Sequence, residues 1–420
     1  MDSEDKLLHM NNTRIVVTGM GAVTPIGIGV DTYWTNLIAG MGGIAPITRF
    51  DPAGLPVRFA GEVKGFDPQA LIPKAFVKNL APFGQFAYVA AQEAIDMSGL
   101  EINPFRTGIV MGTAMDGVAE IANTQAEYDA AARKKVSPRF VPKILGNMAA
   151  CQIAIANNIR GPSLTVNTAC SSGIDAIYVA CMLLSSGAAD TVVAMGGESI
   201  ACSVTIASLS SAQALSRNNG DPAHACKPFD LHRDGFVMGE GGGALVLETL
   251  EHALARKAKI YAEVLACANN NDAFHITSPR PGGEGGAQCM ALALEQAGLR
   301  PEQVDYINTH GTATPKGDAY ECAAIRTVFG GHADHLPISS TKSATGHLMG
   351  AGGITETIAC ILSIRDGILP PTINYETPDP DCDLDCVPNE ARRAEVNVAM
   401  NNALGFGGQN ASLLVGRWKD

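Results

Sequence analysis

The sequence has 420 residues, is 46% hydrophobic but only 5% aromatic, and carries a formal net charge of −12. That length fits two or three ordinary domains, or one large duplicated α/β body with a core of Ala, Val, Ile and Leu. No basic stripe with interleaved aromatics marks a nucleic-acid binder, no apolar run reaches the ~18 residues of a membrane span, and the 45 glycines lack the G-X-Y period of collagen.

Residues 1–12 read as a disordered lead-in, without the positive and apolar regions of a secretory signal. Eleven cysteines follow no framework spacing, and the closest pair, Cys382 and Cys386, has no histidine beside it. Reduced thiols, a cytoplasmic setting and no metal site are therefore expected. The first strand is TRIVVTGMGAVTP. Gly19 and Gly21 suggest a dinucleotide motif, but Thr24 stands at the third glycine position and Pro25 follows. It reads as a strand turning into a loop, not a phosphate cradle. RTGIVMGTAMDG is a buried strand ending in a glycine-flanked loop. SLTVNTAC is a strand running into SSGIDAIYVACMLLSSG, a helix apolar nearly all round. ADTVVAMGGES is another strand. The segment from GFVMGEGGGALVLE to AEVLACANN reads strand, helix, strand, with Gly241 to Gly243 permitting close packing inside it. VDYINTHGTATPKGDAYECAAIRTVFG and LPISSTKSATGHLMGAGGITETIACILSIRDG each read strand, loop, helix. VNVAMNNALGFGGQNASLLVGRW makes two strands around a glycine-rich turn. The Pro- and Asp-rich stretch LPPTINYETPDPDCDLDCVP reads as a surface loop. This alternation predicts an α/β fold with buried sheets and no linker between its halves.

Cys170 lies where a strand meets a helix. Amide dipoles there favour an anion, so a depressed thiol pKa is expected, and the same N–H groups suit the oxygen of a tetrahedral intermediate. His310 and His347 each follow a short apolar strand and precede or approach glycines. If the strands are parallel, all three residues project from one edge. The remaining seven histidines, His9, His252 and His332 among them, sit in polar or helical settings. Lys342 ends an apolar strand five residues before His347, and Glu356 is a candidate partner for a buried ammonium. One cysteine with two histidines admits a hydrolase, an acyltransferase or a carbon–carbon bond-forming enzyme. A hydrolase needs one histidine, oriented by Asn or Asp. Two imidazoles facing one thiol fit stabilisation of a thioester enolate.

Four ordered segments, NTACSSG, INTHGTATPKGD, SSTKSATGHLMGAGG and NNALGFGGQNAS, resemble the signatures of β-ketoacyl-acyl-carrier-protein synthases, most closely the elongating type II class. The resemblance spans nearly the whole chain. It implies a thiolase-like fold: two pseudo-equivalent halves in a five-layered α-β-α-β-α arrangement, normally a homodimer. Residues 13–260 would carry the nucleophile and 261–420 both histidines. By the same resemblance, Cys170 takes the acyl chain, His310 and His347 stabilise the enolate left when malonyl-carrier loses carbon dioxide, and Lys342 with Glu356 organises the histidines. Phe406 is the gate, its N–H completing the oxyanion hole with that of Cys170. Thr312 and Thr314 hold the carrier's phosphopantetheine arm, Met115 and Leu209 line the acyl pocket, and Lys74 and Lys78 dock the acidic acyl carrier protein. No cofactor is implied, since decarboxylation itself supplies the carbanion. Leu404 and Gln409 depart from the family's NSFGFGGTN pattern. A polyketide ketosynthase with the same chemistry, and a non-catalytic carrier-binding scaffold, are the alternatives. A thiolase would need a second cysteine where this chain reads LGFGGQN.

Overall fold

The computed structural model describes residues 13–132, 135–200 and 202–419; the lead-in expected over 1–12 lies outside the described residues. The first half supplies β1 (Ile15–Thr24), β2 (Thr107–Gly112), β3 (Ser163–Val166), β4 (Thr191–Glu198) and β5 (Gly241–Thr249). The second supplies β6 (Ala262–Asn271), β7 (Tyr306–Asn308), β8 (Ile338–Ser339), β9 (Val398–Gly405) and β10 (Gln409–Gly416). They lie in the order β3-β2-β4-β5-β1-β6-β10-β9-β7-β8. Counted within its own half, each set reads third, second, fourth, fifth, first from the outer edge inward. One topology is used twice. The two first strands meet through a short antiparallel ladder, with Ile15 opposite Val264 and Val17 opposite Ala262.

Five helices complete the layers: α1 (Pro82–Ser98), α2 (Ser172–Ser185), α3 (Glu284–Ala297), α4 (Pro315–Phe329) and α5 (Gly352–Asp366). The period-2 alternation of the strands assigns their faces. On β4, Val192 and Ala194 join Ile174 and Ile354 in the central core, whereas Val193 and Met195 join Phe83 and Ala87 of α1. On β10, Leu413 and Val415 face the centre and Leu414 packs with Met290 of α3. Helices α2 and α5 are thus enclosed between two strand layers, with α1 outside one and α3 and α4 outside the other. That is the thiolase-like α-β-α-β-α order. Among the described residues no helix is long and apolar enough to cross a membrane.

The glycines of β1 serve packing, as a strand reading requires. A Cβ on Gly19 or Gly21 would fall against the carbonyl oxygens of Ala94 and Ala90, so β1 presses directly on the backbone of α1. Gly242 meets α1 in the same way, a Cβ there lying 2.6 Å from the carbonyl carbon of Phe86, and Gly243 meets Ile354 of α5. Helix α1 itself starts with proline at its first position and stops at Gly99 in the left-handed region, φ 58°.

Two expectations are corrected. Strands β4, β2 and β3 are mutually parallel, as are β9, β7 and β8. Five antiparallel pairings separate the two sets, so β3 and β7 point in opposite senses and no common parallel edge exists. The duplication is the reason: it brings the starts of the two core helices together instead. The 369–388 stretch is irregular but largely packed inward, with Leu369, Thr372, Cys382, Cys386 and Val387 buried. Its backbone can be buried because the Asp230 carboxylate accepts the N–H groups of Glu376 and Thr377, at 2.7 and 2.6 Å.

The first turns of α2 and α5 touch backbone to backbone. A Cβ on Gly173 would sit 2.9 Å from the carbonyl oxygen of Gly350 and 3.1 Å from the amide nitrogen of Gly353. Gly173→Ala is therefore expected to destabilise the protein by about 1–3 kcal/mol, the usual cost of overpacking. Gly331→Ala, with nothing within 4 Å of the new methyl, serves as the control. Thermal denaturation of both variants checks this, and equal melting temperatures would contradict the contact.

Candidate active site

Cys170 sits in the single 3₁₀ turn Ala169–Ser171 that links β3 to α2. Ala169 adopts φ 53°, a left-handed conformation that costs an alanine about 1–2 kcal/mol and persists only where the surroundings fix it. Ser172 contributes to that fixing: its hydroxyl donates to the Ala169 carbonyl at 2.7 Å and accepts the Thr168 N–H at 2.9 Å. His310 follows β7. Its backbone N–H and that of Gly311 both donate to the buried carboxylate of Glu321, each at 2.8 Å. His347 follows the short helix Lys342–Thr345, and its N–H donates to the Val237 carbonyl at 2.7 Å.

The three side chains converge. A sulfur or ring nitrogen from each lies within 4.8 Å of those of the other two. The imidazole planes of His310 and His347 stand at 85°, centroids 5.2 Å apart, and Phe236 packs edge-on against His347. Nδ1 of His347 accepts the Met349 N–H at 3.2 Å, so its neutral ring carries hydrogen on Nε2. That Nε2 and the His310 Nδ1 are buried without a hydrogen-bond partner.

Burial sets the charge states. Both imidazoles are held well below the usual histidine range, first by desolvation and then by the ammonium of Lys342, with His347 adding to the effect on His310. Both are therefore neutral near pH 7. The expected depression of the Cys170 thiol is corrected: burial pushes it up to about 11. A hydrogen bond from the Phe406 N–H and the charge of Lys342 pull it down, but Glu198 and Glu356 oppose them. Desolvation outweighs the helix start, and the resting group is a thiol.

Lys342 and Glu356 form a buried ion pair, Nζ to Oε1 2.5 Å, with side chains 1% and 5% exposed. Neither lines the cavity, so they act on the histidines through the field of the ammonium. The cavity itself, about 670 Å³, is lined by Cys170, His310 and His347 together with Met115, Leu209 and Phe406. Thr312 and Thr314 also line it, their hydroxyls 3.1 Å apart, as does the exposed Lys316 at its rim. Lys74, which opens the short helix Lys74–Val77, and Lys78, which follows it, stand exposed and are not in the lining.

Apart from Glu356, the buried carboxylates around the site were not found by sequence reasoning. Glu321, pushed up to about 7 by desolvation, holds the His310 turn. Glu198 accepts the Thr113 hydroxyl at 2.8 Å and the Ala114 and Met115 N–H groups, fixing the cavity wall. Asp318 accepts the Phe229 N–H at 2.9 Å and lies 3.8 Å from Arg233. Only the place of Glu321, one helical turn beyond Asp318 on the helix that follows His310, could have signalled such a role.

The chain matches the family model for the β-ketoacyl synthase N-terminal domain over residues 12–253 and that for its C-terminal domain over 261–376. It is 43% identical to a 3-oxoacyl-[acyl-carrier-protein] synthase 2 of Coxiella burnetii, covering 97% of this chain and 99% of that one. It is 45% identical to the protein of the same name from Staphylococcus aureus strain COL, covering 96% and 98%. Among solved structures it is similar to the ishigamide ketosynthase/chain length factor, with TM-score 0.91 and 36% identity over 97% of this chain and 100% of that one. A type II PKS acyl-carrier protein in complex with its ketosynthase bound to the hexaketide gives TM-score 0.89 and 32% identity, covering 97% and 100%.

A thiol raised to about 11 gives up its proton only at high pH. Iodoacetamide alkylation of Cys170, followed by peptide mass spectrometry, is expected to accelerate steadily from pH 7 to above pH 10. A plateau reached near neutrality would mean that a thiolate is already present at rest.

Proposed function

The chain belongs to the β-ketoacyl synthase family, and from that premise we propose that it elongates fatty acids. It is an acyltransferase that joins an acyl group, held as a thioester on Cys170, to malonyl-acyl-carrier-protein, releasing carbon dioxide and 3-oxoacyl-acyl-carrier-protein. The observation that carries this reading is the meeting of one thiol and two neutral imidazoles in a single cavity.

In the first half-reaction the Cys170 sulfur attacks the acyl-carrier thioester. A new S–C bond forms, the carrier's S–C bond breaks, and the thiol proton ends on the released phosphopantetheine thiol. The tetrahedral oxygen is received by the N–H groups of Phe406 and Cys170. In the second, the malonyl carboxylate leaves as carbon dioxide and its electron pair becomes an enolate. Its oxygen accepts a ring N–H from each of His310 and His347, and the burial of both rings strengthens those bonds. Neutral imidazoles suit this task because each keeps one N–H to donate; burial keeps them neutral, and the charge of Lys342, held by Glu356, adds to it. The enolate carbon attacks the acyl-cysteine, the C–S bond breaks, and the departing sulfur takes a proton from solvent. Met115 and Leu209 contact the acyl chain, Thr312 and Thr314 bind the pantetheine arm, and Phe406 opens and closes the path to the sulfur.

The partner is acyl carrier protein, with Lys74 and Lys78 meeting its acidic surface. A homodimer is supported by β3, one of the two edge strands of the sheet, whose residues 163–165 are exposed and whose outer ladder a second copy could continue. Residues 13–260 and 261–420 form the two halves, and the setting is cytoplasmic.

Cys170→Ser is expected to abolish acyl-enzyme formation. His310→Ala and His347→Ala are expected to retain acyl transfer while losing malonyl decarboxylation by about 10²–10³-fold, as removal of an oxyanion donor does. Acyl-carriers of graded length with malonyl-carrier, read by mass spectrometry, test both points. Histidine variants that condense at the normal rate would overturn the role assignment, and iterated poly-oxo products would favour polyketide synthesis over fatty-acid elongation.

A further inference from the structure

Asp175 lies in the first turn of α2 and is 4% exposed. Its Oδ2 accepts the hydroxyl of Thr168 at 2.5 Å and, at 2.9 Å, shares the single proton of the Ser171 hydroxyl with the Thr168 carbonyl, which is equally near. Its Oδ1 accepts the side-chain amide of Asn269, on β6 of the other half, at 3.1 Å. Thr168 is two residues before Cys170 and Ser171 one after it. One carboxylate therefore holds both flanks of the turn that carries the sulfur, across the strained alanine at 169, and anchors that turn to the opposite strand layer.

We propose that Asp175 is the positioning residue for the Cys170 sulfur. A carboxylate at a helix start is often there only to stabilise the helix. Here the donors decide otherwise. Neither hydroxyl belongs to a helix amide; both come from the segment around the nucleophile, and the third donor comes from another element. Strand β6 adds a second link, because Asn271 donates to the Gly407 carbonyl at 2.8 Å, beside Phe406. Asn269 and Asn271 thus reference the sulfur and the Phe406 N–H to the same strand. Without Asp175 the turn can relax at Ala169 and carry the sulfur away from the Phe406 N–H. The histidines, held by Glu321 and Val237, would stay in place.

This inference rests on Cys170 being the acyl acceptor, and the full-length protein permits three separate readings. These are iodoacetamide alkylation of Cys170, single-turnover acyl transfer from an acyl-carrier, and decarboxylation of malonyl-carrier without an acyl donor. Asp175→Ala is expected to slow alkylation and acyl transfer at least about tenfold, the scale of a small misplacement of a reacting atom. Decarboxylation should stay within about twofold, since the histidines are held elsewhere. Asp175→Asn, whose amide oxygen accepts the same two hydroxyls, should recover most of the loss. The double variant Thr168→Val with Ser171→Ala should reproduce the Asp175→Ala effect, and combining all three should add nothing, as groups acting through one network do. Unchanged acyl transfer in Asp175→Ala, a parallel fall in all three readings, or additive losses would each overturn the proposal. If the unaltered protein transferred no acyl group, the functional reading would fail, while the alkylation reading would still report on Asp175.

Discussion

The backbone contact between the first turns of α2 and α5, permitted by Gly173 and Gly353, determines where every reactive group lies. Helix α2 begins beside Cys170. Helix α5 begins just after His347 and carries Glu356, which reaches back to Lys342. Once the two starts touch, the sulfur, both imidazoles and the buried ion pair must share a few ångströms of space. A larger side chain at either glycine would separate two halves that are otherwise complete. The repeated strand order explains why such a contact exists at all: each half ends its central crossover at the same place, and the pairing of their first strands turns those places toward each other.

Enclosure then decides the chemistry. The Cys170 thiol, both imidazoles and the carboxyls of Glu198, Asp318, Glu321 and Glu356 are each driven toward the neutral form by burial. The thiol rises to about 11 and Glu198 to about 7, while both imidazoles fall well below their ordinary range. The result suits donation of hydrogen bonds to an oxygen that becomes charged only during reaction. In such a site the donors need no reorganisation as charge develops. The Lys342 ammonium sits behind the histidines, paired with Glu356, where it biases their protonation without entering the cavity.

Much of this was legible in the sequence because the reactive residues are bracketed by glycines and short apolar strands. Cys170, His310 and His347 stand out by their positions at strand ends, the glycines of β5 read correctly as packing, and Thr24 argued against a phosphate cradle at the glycines of β1. What remained hidden depends on distances that no local pattern encodes. Strand direction across the middle of the sheet follows from the pairing of β1 with β6, residues about 250 apart in sequence. The state of the thiol follows from desolvation by both halves together, so a rule based on the helix start alone gave the wrong sign. Glu321, Glu198 and Asp175 look like surface acids until the fold buries them beneath the turns they hold. The acidic 369–388 segment misled for the same reason, since Asp230 and Arg233 satisfy it from a distant part of the chain.

The central claim is that one sulfur and two imidazoles share a cavity in which acyl transfer and carbon–carbon bond formation occur in turn. A pulse-chase labelling measurement tests it most directly. The protein is loaded from an isotopically labelled acyl-carrier, digested, and mapped by mass spectrometry before and after addition of malonyl-carrier. The account predicts label on the peptide containing Cys170 alone, then its complete transfer into 3-oxoacyl-carrier with release of one carbon dioxide per label. Label on another residue, or label that stays on Cys170 while carbon dioxide is released, would contradict it.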